Sequence, residues 1–383
     1  MYCNSIINNF INKLSLAAFA FVVMMSASVS AQTVVELRAI NRLPFQLRES
    51  SGIAISSANR IWSHNDSGNT NQLFCFDTLG TLIRTVTIEN IENIDWEDLT
   101  RDPEGNIYIN DAGNNDNNRT NLAIHIVPNP DATNESSIQA TSIQFSFPDQ
   151  LAFPPPSSNR NFDIEAIIWH NDSLVLFTKN RSNPMNGYCK MYTLPTTSGQ
   201  HIARLKDSVF IGSTTNAGRV TAAAFNHQTN TLLLLTRAAV IGFDQFQGNE
   251  FFKGRKTYFP FQSLPGQAEA IDFVTENQVY ITEEGSSSQG GFLYALTLPL
   301  QVGIGKRSLV QETPDIRLSE NTVKVQWSNE AIIPAVLELI DMHGKVVSAS
   351  FLTNKIQASN LQKGMYILRI LLNDRVISKK LMF

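Results

Sequence analysis

The 383-residue sequence is poor in cysteine and in charge, and it has no excess of basic residues. It has three cysteines, a charged fraction of 17% and a formal net charge of −4. This charge balance leaves no basic footprint and argues against nucleic acid as a partner. Apolar residues make up 43% of the chain, too many for a disordered protein. The sequence therefore predicts a globular protein, and its length favours two or more domains.

The short motifs of catalysis and cofactor binding are also missing. The sequence contains no H-E-x-x-H, no G-x-S-x-G, no Walker A motif and no pair of C-x-x-C motifs. These absences remove the strongest signatures of zinc peptidases, α/β-hydrolases, P-loop proteins and paired-cysteine metal sites. No organic cofactor is expected, and no catalytic residue follows from a motif.

Long apolar runs are confined to the N-terminus, where residues 16–25 follow Lys13. Small residues come next, with Val29 and Ala31 at the −3 and −1 positions of a cleavage site. We therefore predict a signal peptide over residues 1–31. The run is too short for an ordinary membrane span. The mature chain is expected to pass the periplasm, to lack a transmembrane segment, and to be secreted or held at the outer-membrane surface.

The cysteines that remain after removal of the signal peptide are Cys75 and Cys189, each within a strand-like run. Export permits a disulfide. However, the two residues lie in repeats that are not expected to be neighbours. The sequence therefore favours two buried or half-buried thiols over a disulfide bond.

A repeat of roughly fifty residues organises most of the chain. Its five copies begin at Glu49, Glu97, Glu165, Thr221 and Glu269. Each copy continues through a turn into further short runs of β-branched and aromatic residues, while helical periodicity is nearly absent. Four strands per unit predict an all-β fold with a β-propeller over residues 32–300. Five blades are favoured, and a sixth inside the long interval from Glu97 to Glu165 is the alternative.

The last unit shows only three strands before Pro299. The start of the mature chain, T-V-V-E-L-R-A-I, is a spare strand with no unit of its own. We expect it to supply the missing outer strand and so to close the ring.

The C-terminal region has a different pattern. Residues 301–315 are predicted to be a linker, and residues 316–383 a small Ig-like β-sandwich of short strands. This region resembles the C-terminal sorting domain of type IX secretion, over about residues 310–383. The resemblance rests on the Asp341, Gly344 and Lys345 turn, the segment from Leu361 to Tyr366 and the basic end of the chain. It implies a Bacteroidetes-type source, the type IX machinery as a partner, and removal of the domain during export.

The repeat predicts a group of charges at one end of the propeller channel. In a blade, the start of the first strand and the end of the antiparallel second strand meet at the same face. The predicted cation ligands at this face are Glu97, Glu165, Glu269, Asp66, Asp111 and Glu283. Calcium takes six to eight oxygen ligands, which suits such a ring of carboxylates. The alternatives are pairing with nearby Lys and Arg, protonation for acid–base work, or bonding to backbone N–H groups of the next blade.

The loops after the second strands supply the predicted ligand-binding residues. Residues 63–71 and 109–121 both carry N-D-[SA]-G-N, a pattern of turn formers that offer side-chain oxygens. The predicted ligand contacts are His64, Asn65, Asn110, Asn114, Arg119, Lys179 and Arg237.

The series N-D-S-G, D-W-E-D and N-D-A-G-N-N also resembles exported propellers related to SdiA-regulated proteins. The resemblance covers most of residues 45–300. It implies a five-bladed propeller, allows calcium binding and carries over no settled activity. Thr221 and Lys179 interrupt any uniform acidic ring.

Three functions fit these observations. The first is a secreted or cell-surface propeller that binds a divalent cation and a small polar ligand at the acidic mouth. The second is a metal-dependent hydrolase of lactone or phosphoester type, in which the metal activates water. The third is a non-catalytic module that recognises a glycan or a protein.

Overall fold

The computed structural model describes residues 33–299, 314–319, 321–326, 336–351, 353–359, 361–371 and 376–383. The predicted signal peptide lies outside these residues, as does the predicted linker except for Pro314 and Asp315. Within the described residues, no helix has the length and hydropathy needed to cross a bilayer.

Residues 33–299 form five mainly antiparallel sheets, which are the predicted blades. Strand β1 (Arg38–Arg42) precedes blade 1, whose strands are β2 (Ser50–Ser57), β3 (Arg60–Asn65), β4 (Gln72–Phe76) and β5 (Leu82–Ile88). Blade 2 contains β6 (Leu99–Arg101), β7 (Ile107–Asp111), β8 (Leu122–Val127) and β10 (Thr141–Ser146). The short strand β9 (Ser137–Ile138) pairs in parallel with β5 and extends blade 1.

Blade 3 contains β11 (Asp163–His170), β12 (Ser173–Lys179), β13 (Tyr188–Pro195) and β15 (Arg204–Phe210). Strand β14 (Gly199–Ile202) instead joins blade 2, in parallel with β10. Blade 4 contains β16 (Val220–Asn226), β17 (Thr231–Thr236), β18 (Ala239–Asp244) and β19 (Arg255–Pro260). Blade 5 contains β20 (Ala268–Phe273), β21 (Gln278–Glu283) and β22 (Phe292–Thr297).

The N-terminal strand completes the last blade, as predicted. Strand β1 pairs antiparallel with β22, so that the order in blade 5 is β1, β22, β21, β20. The favoured prediction of five blades is confirmed for residues 33–299. The long interval before Glu165 holds β9 and the connection 147–162 rather than a sixth blade.

In the residues that the structure describes, helical structure is limited to single turns. Helix α1 (Thr215–Gly218) precedes blade 4, and its N-cap Thr214 accepts a hydrogen bond from the Ala217 N–H. Four 3₁₀ turns lie at Phe45–Leu47, Pro130–Ala132, Ser157–Asn159 and Phe251–Lys253.

Five apolar clusters lie between neighbouring blades, and they account for the burial pattern of the strands. The cluster between blades 5 and 1 includes Tyr280 and Leu293 on one side and Ile61 and Phe76 on the other. The other four clusters fill the remaining blade interfaces in order. Because both faces of a blade are covered, the second strand β17 is a continuous buried run, T-L-L-L-L-T. In the outer strand β15, by contrast, exposed and half-buried residues alternate from Lys206 to Phe210.

The inner strands approach one another closely around the channel. At Gly52, an added Cβ would lie 2.6 Å from the Leu99 nitrogen of the next blade. A side chain there would therefore separate blades 1 and 2, which explains the glycine in E-S-S-G-I.

Two aspartates, the buried Asp98 and the half-buried Asp272, tie these inner strands together. The Asp98 carboxylate accepts hydrogen bonds from the Leu99 N–H at 2.9 Å, the Ile167 N–H at 3.1 Å and the Ala223 N–H at 3.0 Å. It thus joins blades 2, 3 and 4. Asp272 does the same between blades 5 and 1, through the Ile55 N–H at 2.8 Å. One alternative from the sequence was that the mouth glutamates accept backbone N–H groups of the next blade. In the structure, Asp98 and Asp272 accept such bonds.

Cys75 and Cys189 are both buried and free, which confirms the prediction of two thiols. Cys75 packs between blades 1 and 2, and Cys189 between blades 3 and 4.

The C-terminal region is a two-sheet β-sandwich, as predicted. One sheet contains β23 (Asp315–Ser319), β24 (Thr322–Gln326) and β27 (Lys355–Gln357). The other contains β25 (Val336–Ile340), β26 (Val346–Phe351), β28 (Met365–Leu371) and β29 (Val376–Met382). Val323, Leu337 and Leu368 belong to its core. The predicted turn is present: Asp341 accepts from the Lys345 N–H at 3.0 Å, and Gly344 has a φ of 82°.

The Asp98 bridge makes a stability prediction. The change Asp98→Ala leaves buried N–H groups of three blades without an acceptor, at about 1–3 kcal/mol for each unpaired group. We expect thermal unfolding to show that the Tm of Asp98→Ala is several degrees lower than that of the unchanged protein. Asp98→Asn, which keeps one acceptor oxygen, should lose less.

The control is Asp116→Ala, because Asp116 is exposed on the loop after β7. It should melt like the unchanged protein. If Asp98→Ala is as stable as this control, the carboxylate does not hold the blades together.

Candidate functional site

A β-bulge marks the start of the inner strand in each blade. The pairing of first and second strands skips one residue in blades 1, 3, 4 and 5. In blade 2, the Glu97 N–H donates to Asn110 O while the Asn110 N–H donates to Asp98 O, so two residues face one. The equivalent bulge residues are Ser51, Glu97, Glu165, Thr221 and Glu269. We call the end of the channel that they line the mouth.

The structure differs from the sequence alignment in blade 1. The sequence repeat put Glu49 at this position, whereas the pairing puts Ser51 there. Ser51 donates its hydroxyl to Glu97 Oε2 at 3.3 Å, across the boundary between the first two blades.

Three carboxylates come together beside this boundary. Asp66 follows β3 in blade 1, and Asp95 and Glu97 precede β6 in blade 2. One oxygen from each lies within 4.8 Å of the others. We call Asp66, Asp95 and Glu97 the three-carboxylate cluster. Of the six predicted cation ligands, this cluster contains Asp66 and Glu97.

Gly113 leaves space for the cluster. A Cβ at this position would lie 2.5 Å from Glu97 Oε1 and 2.6 Å from Asp95 Oδ2. Any side chain would therefore displace two of the three carboxylates. The glycine of N-D-A-G-N is thus required by close approach rather than by turn conformation.

Burial and mutual repulsion keep the cluster from ionising freely. Burial raises the pKa of Glu97 well above its usual range, and the charges of Glu165 and Asp66 raise it further. Burial also raises the pKa of Asp95 to about 7, with Asp163 and Asp66 adding to the shift. Near neutral pH, these groups must hold protons or share a cation.

Glu269 in blade 5 is a second unusual carboxyl group at the mouth. Its side chain is only 5% exposed, and its Oε2 has no hydrogen-bond partner among the described residues. Burial raises the pKa of Glu269 to about 8, although Lys179 opposes the shift. The neighbouring Glu284 has its pKa raised to about 7 by burial and by the charges of Asp66 and Glu49.

Blade 3 neutralises its own carboxylates. Glu165 receives Lys179 Nζ at 2.8 Å on one oxygen and Arg181 at 2.8 Å on the other. Arg181 Nε also lies 2.5 Å from Asp163 Oδ2. Burial lowers the pKa of Lys179, but the charges of Glu165 and Glu269 outweigh it and raise that pKa overall. Glu165 and Lys179 therefore form an internal ion pair at the mouth, and Glu165 lies outside the three-carboxylate cluster.

Asp111 and Glu283, two further predicted cation ligands, hold loops of their own blades. Asp111 Oδ1 accepts from Arg119 at 3.0 Å, and its Oδ2 lies 3.2 Å from His125 Nε2. Glu283 Oε2 accepts from the Gly266 N–H at 2.7 Å and the Tyr294 hydroxyl at 2.9 Å. Neither residue belongs to the three-carboxylate cluster.

His64 and Asn110 are buried, and each has one atom without a partner among the described residues. His64 Nδ1 donates to Asn65 O at 2.8 Å, while its Nε2 is unpaired. Burial lowers the pKa of His64 to about 4, so its ring is neutral at pH 7. Asn110 donates to Ile164 O at 2.8 Å, and its Oδ1 is unpaired.

The other predicted ligand contacts mostly organise loops. Asn65 donates to Gln46 O at 2.7 Å, and Asn114 Oδ1 accepts the Asn118 N–H at 2.9 Å. Arg119 is engaged by Asp111 and by Gly113 O. Arg237 is exposed on the turn after β17, and none of the ion pairs in the described residues includes it.

Sequence reasoning missed Asp95, Asp98 and Arg219. Asp95 had a signal, since it lies two residues before Glu97 and alternate residues of an extended chain point to the same side. Arg219 had none. Its Nε donates to Asn180 O at 3.1 Å, and burial and the charge of Arg181 lower its pKa.

Comparisons with known proteins assign the C-terminal region. No curated protein is significantly similar in sequence to the chain. Residues 319–383 match the family described as secretion system C-terminal sorting domain.

Several solved structures resemble the chain at 13% sequence identity or less. A gluconolactonase from Xanthomonas campestris is 13% identical, with 72% of this chain and 94% of that chain covered and a TM-score of 0.35. A Bacteroides thetaiotaomicron protein of unknown function is 7% identical, with 70% and 73% covered and a TM-score of 0.38. A structure of a nidogen/laminin complex is 13% identical, with 61% and 72% covered and a TM-score of 0.36. At this level, the likenesses carry no argument about activity or ligand.

The signal peptide and the Bacteroidetes-type source stay predictions, since neither the matched region nor the described residues test them. The family match at the C-terminus does indicate how the protein is exported. Residues 319–383 are a type IX secretion-system C-terminal sorting domain, and the β-propeller that precedes it is exported to the cell surface or the medium.

Proposed function

We propose that the exported propeller binds a divalent cation, Ca²⁺, at the mouth through Asp66, Asp95 and Glu97. The observation that carries the proposal is the cluster itself: three carboxylates from two blades, with ligand oxygens within 4.8 Å of one another. None of the ion pairs found in the described residues includes Glu97 or Asp66. Three hard oxygen donors, completed by waters or carbonyls, are what Ca²⁺ takes in proteins.

The charge balance of the mouth supports a cation over internal pairing. Lys179 and Arg181 are already engaged by Glu165 and Asp163. Arg119 is held by Asp111 and reaches Asp95 only at 3.9 Å. The basic side chains nearest the mouth are therefore occupied, and the negative charge of the cluster is left for a bound ion.

A small polar or anionic ligand would bind beside this cation. Arg219 is the best placed basic residue for it, because the described contacts of its guanidinium involve only Nε. Arg237 is a weaker choice because its side chain is exposed on the turn after β17. The proposed function is thus binding of Ca²⁺ together with a small polar ligand at the cell surface.

Thermal unfolding with and without calcium tests the cation site. A ligand at a hundred times its Kd adds about 2.7 kcal/mol to the stability of the folded state. We expect Ca²⁺ to raise the Tm of the full chain by several degrees over the value in chelator. The double change Asp95→Asn and Glu97→Gln should abolish that shift.

The matched control is Asp116→Asn, which removes one carboxylate from an exposed position on the loop after β7. It should keep the full calcium shift. An equal Tm of the unchanged protein in calcium and in chelator would refute the cation site.

The affinity for calcium should depend on pH. A raised pKa means that the folded protein holds the proton at pH values where the unfolded chain has lost it. Stability in chelator therefore falls as pH rises through the folded pKa of Asp95, about 7. Calcium must displace this proton, so lowering the pH from 8 to 6 should weaken binding about tenfold.

Isothermal titration calorimetry in two buffers of different ionisation enthalpy measures both the affinity and the protons released. A calcium affinity that does not change between pH 6 and pH 8 would contradict the assignment of Asp95 as a ligand.

One observation favours a second candidate function, the metal-dependent hydrolase. Glu269 is a buried carboxyl group with an unpaired oxygen and a pKa of about 8. At neutral pH it is protonated and suits a general acid opposite a metal-activated water. The substrates would be lactones or phosphoesters.

This candidate predicts turnover that depends on Glu269. The calcium-loaded chain is assayed against a panel of aliphatic lactones and p-nitrophenyl phosphoesters. Glu269→Gln should lower the rate at least about a hundredfold and keep the calcium shift in Tm. Glu276→Gln, on the far turn of the same blade, should leave the rate unchanged. If the unchanged protein hydrolyses none of these substrates faster than the blank, the hydrolase candidate is refuted and a non-catalytic recognition module remains.

A further inference from the structure

A cavity of about 380 Å³ lies on blade 3, outside the channel. Its walls come from the connection 147–162 and from blade 3, where β13 begins near Tyr188 and β15 ends at Phe210. Tyr188 pairs directly with Phe210, so this is the mouth-side end of the outer strands. A volume of this size is within the range of small-molecule sites. It uses none of the three cluster carboxylates.

The residues that line the cavity carry no net charge. Lys190 Nζ lies 2.7 Å from Asp149 Oδ2 and 4.0 Å from the centre of the Phe162 ring. Asp149 also accepts the Tyr192 hydroxyl at 2.9 Å. The positive and negative charges are therefore paired with each other, and the cavity favours a neutral molecule over an ion.

One buried acceptor in the wall has no partner. Asn161 is only 4% exposed, and its Nδ2 donates to Tyr188 O at 2.9 Å. Its Oδ1 has no hydrogen-bond partner among the described residues. A buried acceptor left unpaired costs about 1–3 kcal/mol. Asn161 lines the cavity, and a ligand that brings a hydroxyl or amide donor to it would satisfy this acceptor.

Aromatic surface lies at the edge of the same cavity. The Tyr188 ring is 46% exposed and packs edge-to-face on Phe210, with ring centres 5.7 Å apart. Asn186 is beside it: its Oδ1 accepts the Tyr188 N–H at 3.1 Å. A fixed aromatic ring next to amide and carboxylate groups matches a molecule with one apolar face and hydroxyls around its rim.

We propose that this cavity binds a neutral saccharide. The C–H face of one pyranose ring stacks on Tyr188, and a hydroxyl donates to Asn161 Oδ1. Further hydroxyls bond to Asp149 and to the Asn186 amide. The site is separate from the proposed cation site, so either can fail without the other.

Saturation-transfer NMR and calorimetry on the full chain test the proposal. The probes are glucose, galactose, mannose, fucose, N-acetylglucosamine and N-acetylgalactosamine, with their β-linked disaccharides. At least one should bind saturably below about 10 mM. Tyr188→Ala should weaken that binding at least about tenfold. Asn161→Ser, which removes the amide acceptor, should also weaken it.

The matched control is Phe45→Ala, because Phe45 is another exposed aromatic residue, on the segment before blade 1. It should leave saccharide binding unchanged, and chelator should have no effect either. Binding that survives Tyr188→Ala, or that is lost in chelator, would place the sugar elsewhere and overturn the proposal.

Two comparison ligands complete the test. Glucose 6-phosphate should bind no more tightly than glucose, since the lysine of the cavity is paired with Asp149. The second comparison ligand is a proline-rich peptide. If this peptide binds, if Tyr188→Ala abolishes its binding, and if no saccharide in the panel binds below about 10 mM, the proposal is overturned and the cavity is a peptide site.

Discussion

The loss of water around carboxylates at the centre of the propeller is the constraint on which the rest depends. Five inner strands converge on one channel, and any acidic group there must find a compensating partner. Asp98 finds it in backbone N–H groups of blades 2, 3 and 4. Glu165 finds it in Lys179 and Arg181. Asp66, Asp95 and Glu97 are less well compensated: Arg119 reaches Asp95 only at 3.9 Å, and no ion pair among the described residues includes Asp66 or Glu97. This difference is what makes them a candidate ion site rather than part of the scaffold.

The same constraint separates scaffold from function around the mouth. A carboxylate at the end of a second strand, such as Asp111, can turn to its own loop and pair with Arg119. Among the bulge residues, Glu165 is paired with Lys179 and Arg181, whereas Glu97 belongs to the three-carboxylate cluster and Glu269 keeps an unpaired oxygen among the described residues. The acidic repeat therefore serves two purposes: some copies fix loops, and others leave charge that a ligand can satisfy.

The mouth and the blade 3 cavity differ in the kind of ligand that each would suit. The mouth concentrates negative charge from two neighbouring blades, which suits a cation. The cavity pairs its charges internally and exposes an aromatic ring with amide groups, which suits a neutral polar molecule. The sorting domain adds the location, since it indicates export of the propeller to the cell surface or the medium.

The sequence by itself determined the repeat of four strands, the N-terminal strand that completes blade 5, the sandwich at the C-terminus and its sorting role. The first three depend on local periodicity and turn residues, which can be read along the chain. The sorting role rests instead on the resemblance of the C-terminal motifs to a known domain. Tertiary structure decided which acidic residues meet. The bulge and the strand pairing set whether a side chain faces the channel or its own loop, and a shift of one residue reverses that choice. It therefore took the packing of blades 1 and 2 to bring Asp95 to Asp66. Likewise, only the folding of the connection 147–162 onto β13 and β15 creates the cavity.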